Sequence, residues 1–565
     1  MMNVKESKHF IIAALVVAII TLFVFLPVLD VQFRIWDDDS HIYKNPTLTS
    51  LNWETLRNIL INQSYSTCFY TPMTGLRWSL TRTLGGLNPR WFHLGNLLFH
   101  TANSVMVFVL AIFFSRIWNC RLWQETSPLS RAGIAVLAAL LWSLHPLRVE
   151  AVAGAVCGAH TQALFFGLVS LLCYLKAVSR NKPLQIGWFI VSYLAYTISL
   201  LSQPILLALP LALVVIDFYP LKRFANGKMD AASQDSIRII FEKIPYFLIA
   251  AVIAGINLSI LPHSALPGHP LVSLKDFGIP DRIMQAFYIW TYYLWRPFFP
   301  FDLAPVYTTL INFDPWTPPF LTGAVTIIVS TILLVIKRRA YPALLAAWFS
   351  YLFLLIPFLG LTEHPHYPAD RYSLTVAIIP SLLLAGWLLT LKSPISRFTT
   401  SSVILVLFIA AFGFLSMRQI NVWNNTITLG NQMLKVTAAQ PNHPYRAKIY
   451  RRMALHYLER NEYGPAAHYM RRALDIKPDE YQYANLLAVI LINDNQASEA
   501  EAIFKKLIRT NPKKSEAYYN LAILLSSAGR YEEALAYARE VQRLEPENRA
   551  AGQFVETLLQ KRSTP

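Results

Sequence analysis

Eleven long apolar runs dominate the first three quarters of the chain, near residues 10–29, 94–115, 132–145, 160–178, 185–202, 204–219, 244–262, 319–336, 341–360, 372–391 and 399–417. Each has roughly the 17–25 residues a spanning helix needs, or falls slightly short and is extendable. Such runs fold as helices, because a bilayer offers the backbone no outside hydrogen-bond partner. A further segment, 283–300, is strongly aromatic and ends in Arg296-Pro297 and Pro300. It reads as interfacial or re-entrant, which leaves eleven spans. Composition agrees: 54% hydrophobic, 15% charged, mean hydropathy +0.37. A large soluble protein is excluded.

The net charge of +17 invites a nucleic-acid reading, but its distribution opposes one. Much of the excess lies in short loops: Lys5/Lys8, Arg116/Arg121/Arg131, Lys176/Arg180/Lys182, Lys222/Arg223/Lys228, Lys337/Arg338/Arg339 and Lys392/Arg397. With eleven spans all of these fall inside, the positive-inside pattern, and the C-terminal part falls outside. The first run follows a short basic stretch and no small-residue cleavage site, so it reads as an uncleaved signal anchor with its N-terminus cytoplasmic. The expected location is the cell membrane. The four cysteines, Cys68, Cys120, Cys157 and Cys173, show no metal spacing and imply no disulfide framework.

From about residue 441 the texture changes. Pro444, Pro478, Pro512 and Pro546 are 34 residues apart, and Ala454/Ala488/Ala522 and Ala466/Ala500/Ala534 keep that period. This is the tetratricopeptide signature: helix hairpins with small residues at the crossing and Pro at the repeat end. The expected organisation is all-α: a polytopic helix bundle over 1–420 with an outer loop at 30–93, a connector at 421–440, and a soluble α-solenoid over 441–565. Its repeats fall near 445–478, 479–512 and 513–546, with a capping helix at 547–560. Such repeats bind partners, here an acceptor protein, and carry no chemistry.

Asp37, Asp38 and Asp39 follow Trp36 at the outer mouth of the first run. Adjacent carboxylates oppose one another's charge unless a cation neutralises them. Ionisable residues beside membrane segments point to function; a solvated acidic loop is the bland alternative. The same outer face collects His145, Arg148, Glu150, Gln203, Glu363, His364 and His366. No nucleotide-binding glycine motif or HExxH is present. A transferase using a polyprenyl-phosphate sugar needs neither, since its donor is dissolved in the bilayer. It needs a carboxylate to accept the acceptor hydroxyl's proton, and positive charge or a divalent cation (Mg or Mn) on the departing phosphate. Asp37 and Asp38 suit the first role, with Asp38 also a possible cation ligand. His145, Arg148, Arg371 and His364 are candidate phosphate partners. Each also has a plain reading: His145-Pro146 as a helix start, Glu363–His366 as a solvated loop, Asp370-Arg371 as a local ion pair.

The chain resembles the transmembrane-and-tetratricopeptide O-mannosyltransferases and their bacterial relatives, of the C-type glycosyltransferase fold. The resemblance rests on Trp36-Asp37-Asp38 with Asn45-Pro46, Gly86–Pro89 followed by His93 and Asn96, and His145–Glu150. It continues through Ile216–Pro220, Glu242–Pro245, Tyr293–Arg296 and Ala369–Tyr372. It implies a polyprenyl-phosphate sugar donor, mannose-like, a hydroxyl acceptor on a protein, and an extracytoplasmic site. The catalytic pair is then Asp37 and Asp38. From the residues themselves, His145, Arg148, Glu150 and Arg371 are expected to face the donor phosphate, with Glu363, His364 and Asp370 a candidate site loop. Three positions depart from the family pattern, where cations are expected: Thr71, Gln203 and Gly158. A ligase of preassembled lipid-linked glycan, or a non-catalytic scaffold displaying the repeats, are the alternatives.

Overall fold

The computed structural model describes residues 4–61, 69–118, 120–179, 185–224, 234–260, 273–311, 313–361, 366–391 and 395–563. Glu363 and His364 lie outside the described residues, as do Cys68, Arg180, Lys182, Lys228 and Lys392. The described residues are helical and contain no strand. They divide into two compact units: residues 1–33 with 37–425, and residues 34–36 with 426–565.

The first unit is a multi-pass membrane bundle. Six described helices are long and apolar enough to span: Ser7–Asp30, Pro89–Trp118, Gly158–Ala177, Ser236–Ile260, Pro318–Ile336 and Thr399–Val422. Three bent pairs pass the same test together and raise the number to nine. Eleven were expected, and two differences account for the gap. The runs at 185–202 and 204–219 form one pair, Ile186–Ser202 and Pro204–Phe218, bent by 118°. The run at 341–360 is the shorter apolar helix Pro342–Phe358. The bends have a local cause. Proline drives the residue before it out of the helical region, and His145 (ψ 133°) and Gln203 (ψ 130°) are both extended. The aromatic segment forms the 17-residue helix Ile279–Trp295, ending at Arg296-Pro297.

A buried polar cluster ties three elements of this unit together. Lys243 Nζ lies 2.6 Å from Asp217 Oδ2 and Arg223 Nη1 lies 2.6 Å from Glu242 Oε2. The Tyr174 hydroxyl donates to Asp217 and accepts from Lys243, both at 2.6 Å. Two cations face two carboxylates, so the charge is balanced where water is scarce.

In the second unit the helix Thr426–Val436 precedes three hairpins. These pair Pro444–Leu458 with Tyr463–Ile476, Tyr481–Asn493 with Ala497–Thr510, and Ser515–Ser527 with Tyr531–Leu544, and Arg549–Ser563 follows. All six alanines of the 34-residue period are fully buried. Only a methyl fits where the two helices of a hairpin cross. The strand of chain at 34–36 belongs to this unit. Ile35 N–H donates to Thr426 Oγ1 at 3.0 Å, and the Arg452 guanidinium lies 4.0 Å from the Trp36 ring and donates to the Trp36 carbonyl.

Candidate functional site

The site is built on the short loop 154–157, between the helix Val149–Ala153 and the helix Gly158–Ala177. Asp38, 3% exposed, accepts from the Val156 N–H through Oδ1 at 3.2 Å. Asp37 is half-buried, and its carbonyl accepts from His41 N–H at 3.1 Å, opening the turn that carries the triplet. Cys157 marks how closely the charged residues gather. Burial pushes its thiol up to about 12; Arg371 opposes that rise, and Glu150, Asp37 and Asp38 add to it. Charges act on a buried thiol only from its neighbourhood. Asp37, Asp38, Glu150 and Arg371, dispersed over 334 positions of sequence, therefore share one locality.

Glu150 is 1% exposed and is satisfied by Arg371. Its Oε2 accepts from the Arg371 backbone N–H at 2.8 Å, and its Oε1 pairs with the Arg371 guanidinium. That guanidinium also lies 4.9 Å from the Tyr372 ring. Arg148 is fully buried and donates to Ser373 Oγ at 2.9 Å, and Ser373 donates onward to the Asp370 carbonyl. Its Nε and Nη1 have no hydrogen-bond partner. Asp370, 3% exposed, accepts from the Tyr307 hydroxyl, which accepts from Arg296 at 2.8 Å. Burial, with the Asp370 charge second, raises the Tyr307 hydroxyl well above its ordinary range and keeps it a donor. His145 uses both ring nitrogens: Nδ1 accepts from Leu147 N–H at 3.2 Å, and Nε2 meets the Pro297 carbonyl at 2.9 Å. It is a neutral imidazole capping the turn that delivers Arg148.

Asn96, from the helix Pro89–Trp118, fastens the loop from behind. Its amide donates to the carbonyls of Gly154 (2.9 Å) and Val152 (3.2 Å), and its Oδ1 accepts from Arg77 Nη1 at 3.0 Å. A Cβ at Gly158 would stand 1.6 Å from Asn96 Oδ1. That position is therefore glycine for space: the side chain a cation would need is displaced by Asn96. Sequence reasoning singled out Asn96 only by resemblance, and it missed Arg77, Val156 and Ser373. Arg77 did leave a signal, since no Asp or Glu lies within four residues on either side.

The same unit holds an apolar cavity of ≈ 150 Å³. Phe114, Trp118, Leu206, Ile216, Ala346 and Leu382 contribute to its wall. Thr375 also lines it, two residues beyond the Ser373 that holds Arg148. Among the described residues no group of three or more His, Cys, Asp or Glu is disposed to hold a metal ion. Asp37 and Asp38 alone fall short of such a set.

Residues 457–522 and 491–558 match the tetratricopeptide repeat family. The chain is 33% identical over 198 residues to protein O-mannosyl-transferase TMTC2 of Homo sapiens, covering 34% of this chain and 22% of that relative. It is 31% identical over 189 residues to TMTC2 of Mus musculus, covering 32% and 21%. It is 37% identical over 119 residues to TMTC4 of Homo sapiens, covering 20% and 15%. The chain thus spans about a fifth of the length of the curated relatives it matches. The resemblance expected from the sequence is met by these relatives.

Proposed function

We propose that this chain is a membrane glycosyltransferase that moves a mannose-like sugar from a polyprenyl-phosphate donor to a hydroxyl on an acceptor protein, at the extracytoplasmic face. The observation that carries the reading is the gathering of Asp37, Asp38, Glu150 and Arg371 about one loop, in a unit that also holds an apolar cavity reaching Thr375. An isoprenoid phosphate has that double character: a charged head and a long hydrocarbon tail. The similarity to protein O-mannosyl-transferases supports the same chemistry.

In this reading Asp37 accepts the proton of the acceptor hydroxyl as its oxygen bonds to the sugar's anomeric carbon. The bond from that carbon to the phosphate oxygen breaks on the opposite face, inverting the centre. The phosphate leaves with the electron pair. Arg148, whose buried Nε and Nη1 have no partner, and Arg371 meet the charge that develops on it. Glu150 and His145 hold those arginines in place, and Asp38 orients the loop through Val156. The tetratricopeptide unit holds the acceptor.

The test is a membrane fraction supplied with labelled donor. Transfer from a polyprenyl-phosphate monosaccharide to protein supports the reading. Transfer only from a lipid-linked oligosaccharide assigns a glycan ligase instead, and use of neither donor assigns a scaffold.

A further inference from the structure

Arg77 sits mid-helix in Pro72–Gly85. Its partners are the Oδ1 of Asn96 at 3.0 Å and the face of Phe99 at 5.7 Å. Among the described residues its buried Nε and Nη2 have no hydrogen-bond partner, and it forms no ion pair. Burial pulls its guanidinium down to about 10, and no neighbouring carboxylate pushes it back up. Arg371 has Glu150, and Arg223 and Lys243 share Asp217 and Glu242; Arg148, also without an ion pair among the described residues, at least has the Asp370 charge near it. A buried charge without a counter-ion is costly and persists when something else supplies the opposite charge.

A second orphan donor stands next to it. Trp78 is 4% exposed, and its indole N–H has no partner. Both side chains address the loop that holds Asp38. Trp78 packs in one cluster with Ala155, Phe92 and Ile42, and Arg77 reaches the loop through Asn96, which bonds Val152 and Gly154. Unpartnered N–H donors beside a site call for a ligand rich in acceptor oxygens. Arg77 lies further along the helix that Thr71 caps, and it bonds the Asn96 that fills the Gly158 space.

We propose that Arg77 is an anion-binding residue of this site, completed by a phosphate oxygen of the ligand. The proposal rests on the transferase reading for the identity of that ligand, a polyprenyl phosphate, but not for the existence of the site. Without ligand the charge is a burden on the fold; with ligand it is a binding contact.

The test is thermal unfolding of the full chain in detergent, for the parent, Arg77→Met and Arg77→Lys. Each is measured alone and with polyprenyl phosphate, polyprenol or inorganic phosphate. The parent melts higher with polyprenyl phosphate and not with polyprenol. Arg77→Met melts no lower than the parent without ligand and loses the ligand-induced rise, and donor binding weakens roughly tenfold or more, the scale of one charge-assisted hydrogen bond. Arg77→Lys, which keeps the charge and folds in any case where Met does not, retains part of the rise. A rise with inorganic phosphate that needs Arg77 keeps the anion site and assigns it a water-borne ligand. An undiminished rise in Arg77→Met, or no rise in the parent with either phosphate, overturns the proposal. Loss of sugar transfer with an Arg77-dependent rise would instead remove the transferase reading and leave the anion site standing.

Discussion

Arg371 bonds Glu150 twice, through its backbone N–H at 2.8 Å and through its guanidinium. The carboxylate is buried, so it cannot be left alone cheaply. Glu150→Gln strands a largely buried guanidinium and costs about 3 kcal/mol of stability, the low end for breaking one partner of a buried pair. Arg371→Met strands the carboxylate and costs at least as much. The double variant is less destabilised than the sum of the two. A thermal-unfolding double-mutant cycle reads the coupling, and strict additivity contradicts the pairing.

Arg148 presents a planar fork, of which Nη2 is committed to Ser373. Lysine offers a point charge on a flexible stem and cannot hold Ser373 and a phosphate oxygen together. Arg148→Lys raises the donor concentration needed for half-maximal rate. An unchanged donor dependence moves Arg148 out of the phosphate site.

Lys243 neutralises Asp217 at 2.6 Å, with Tyr174 between them. Lys243→Met leaves buried Asp217 with Arg223 only, which it shares with Glu242. Stability falls by about 3–5 kcal/mol, and donor affinity of the folded fraction is unchanged, since the cluster is structural. A normal melting temperature shows the network to be dispensable.

The repeats were legible because their signal is periodic and local. An alanine every 34 residues predicts burial at a helix crossing, and all six are fully buried. One further periodic feature went unread: Asn461, Asn495 and Gly529, also 34 apart, take positive φ in the hairpin turns. Asn reaches that conformation almost as Gly does, so the mixed letters hid one backbone requirement. The site was legible residue by residue but not as an arrangement. Glu150 and Arg371 are 221 positions apart, and no pattern in a single sequence pairs them. The span count is the part that apolar length leaves open, because a proline between two apolar runs can join them as one bent span or separate them as two. His145-Pro146 and Gln203-Pro204 mark the two sharpest of these bends, 57° and 118°.

The basic loops imply that the repeats stand outside. A fusion of alkaline phosphatase after Pro565 is therefore active, and a cytoplasmic reporter there is silent. The reverse pattern means that the aromatic segment ending at Trp295 spans, and the repeats are cytoplasmic.

The central claim is that the acidic loop performs the chemistry. The direct measurement is transfer of labelled sugar from a polyprenyl-phosphate monosaccharide by parent, Asp37→Asn and Asp39→Asn proteins inserted equally into membranes. Asn keeps the shape of Asp37 and removes the base, so transfer falls by roughly 10²-fold or more, the scale of losing a general base. Asp39→Asn changes it far less. Equal transfer by Asp37→Asn and the parent would contradict the account.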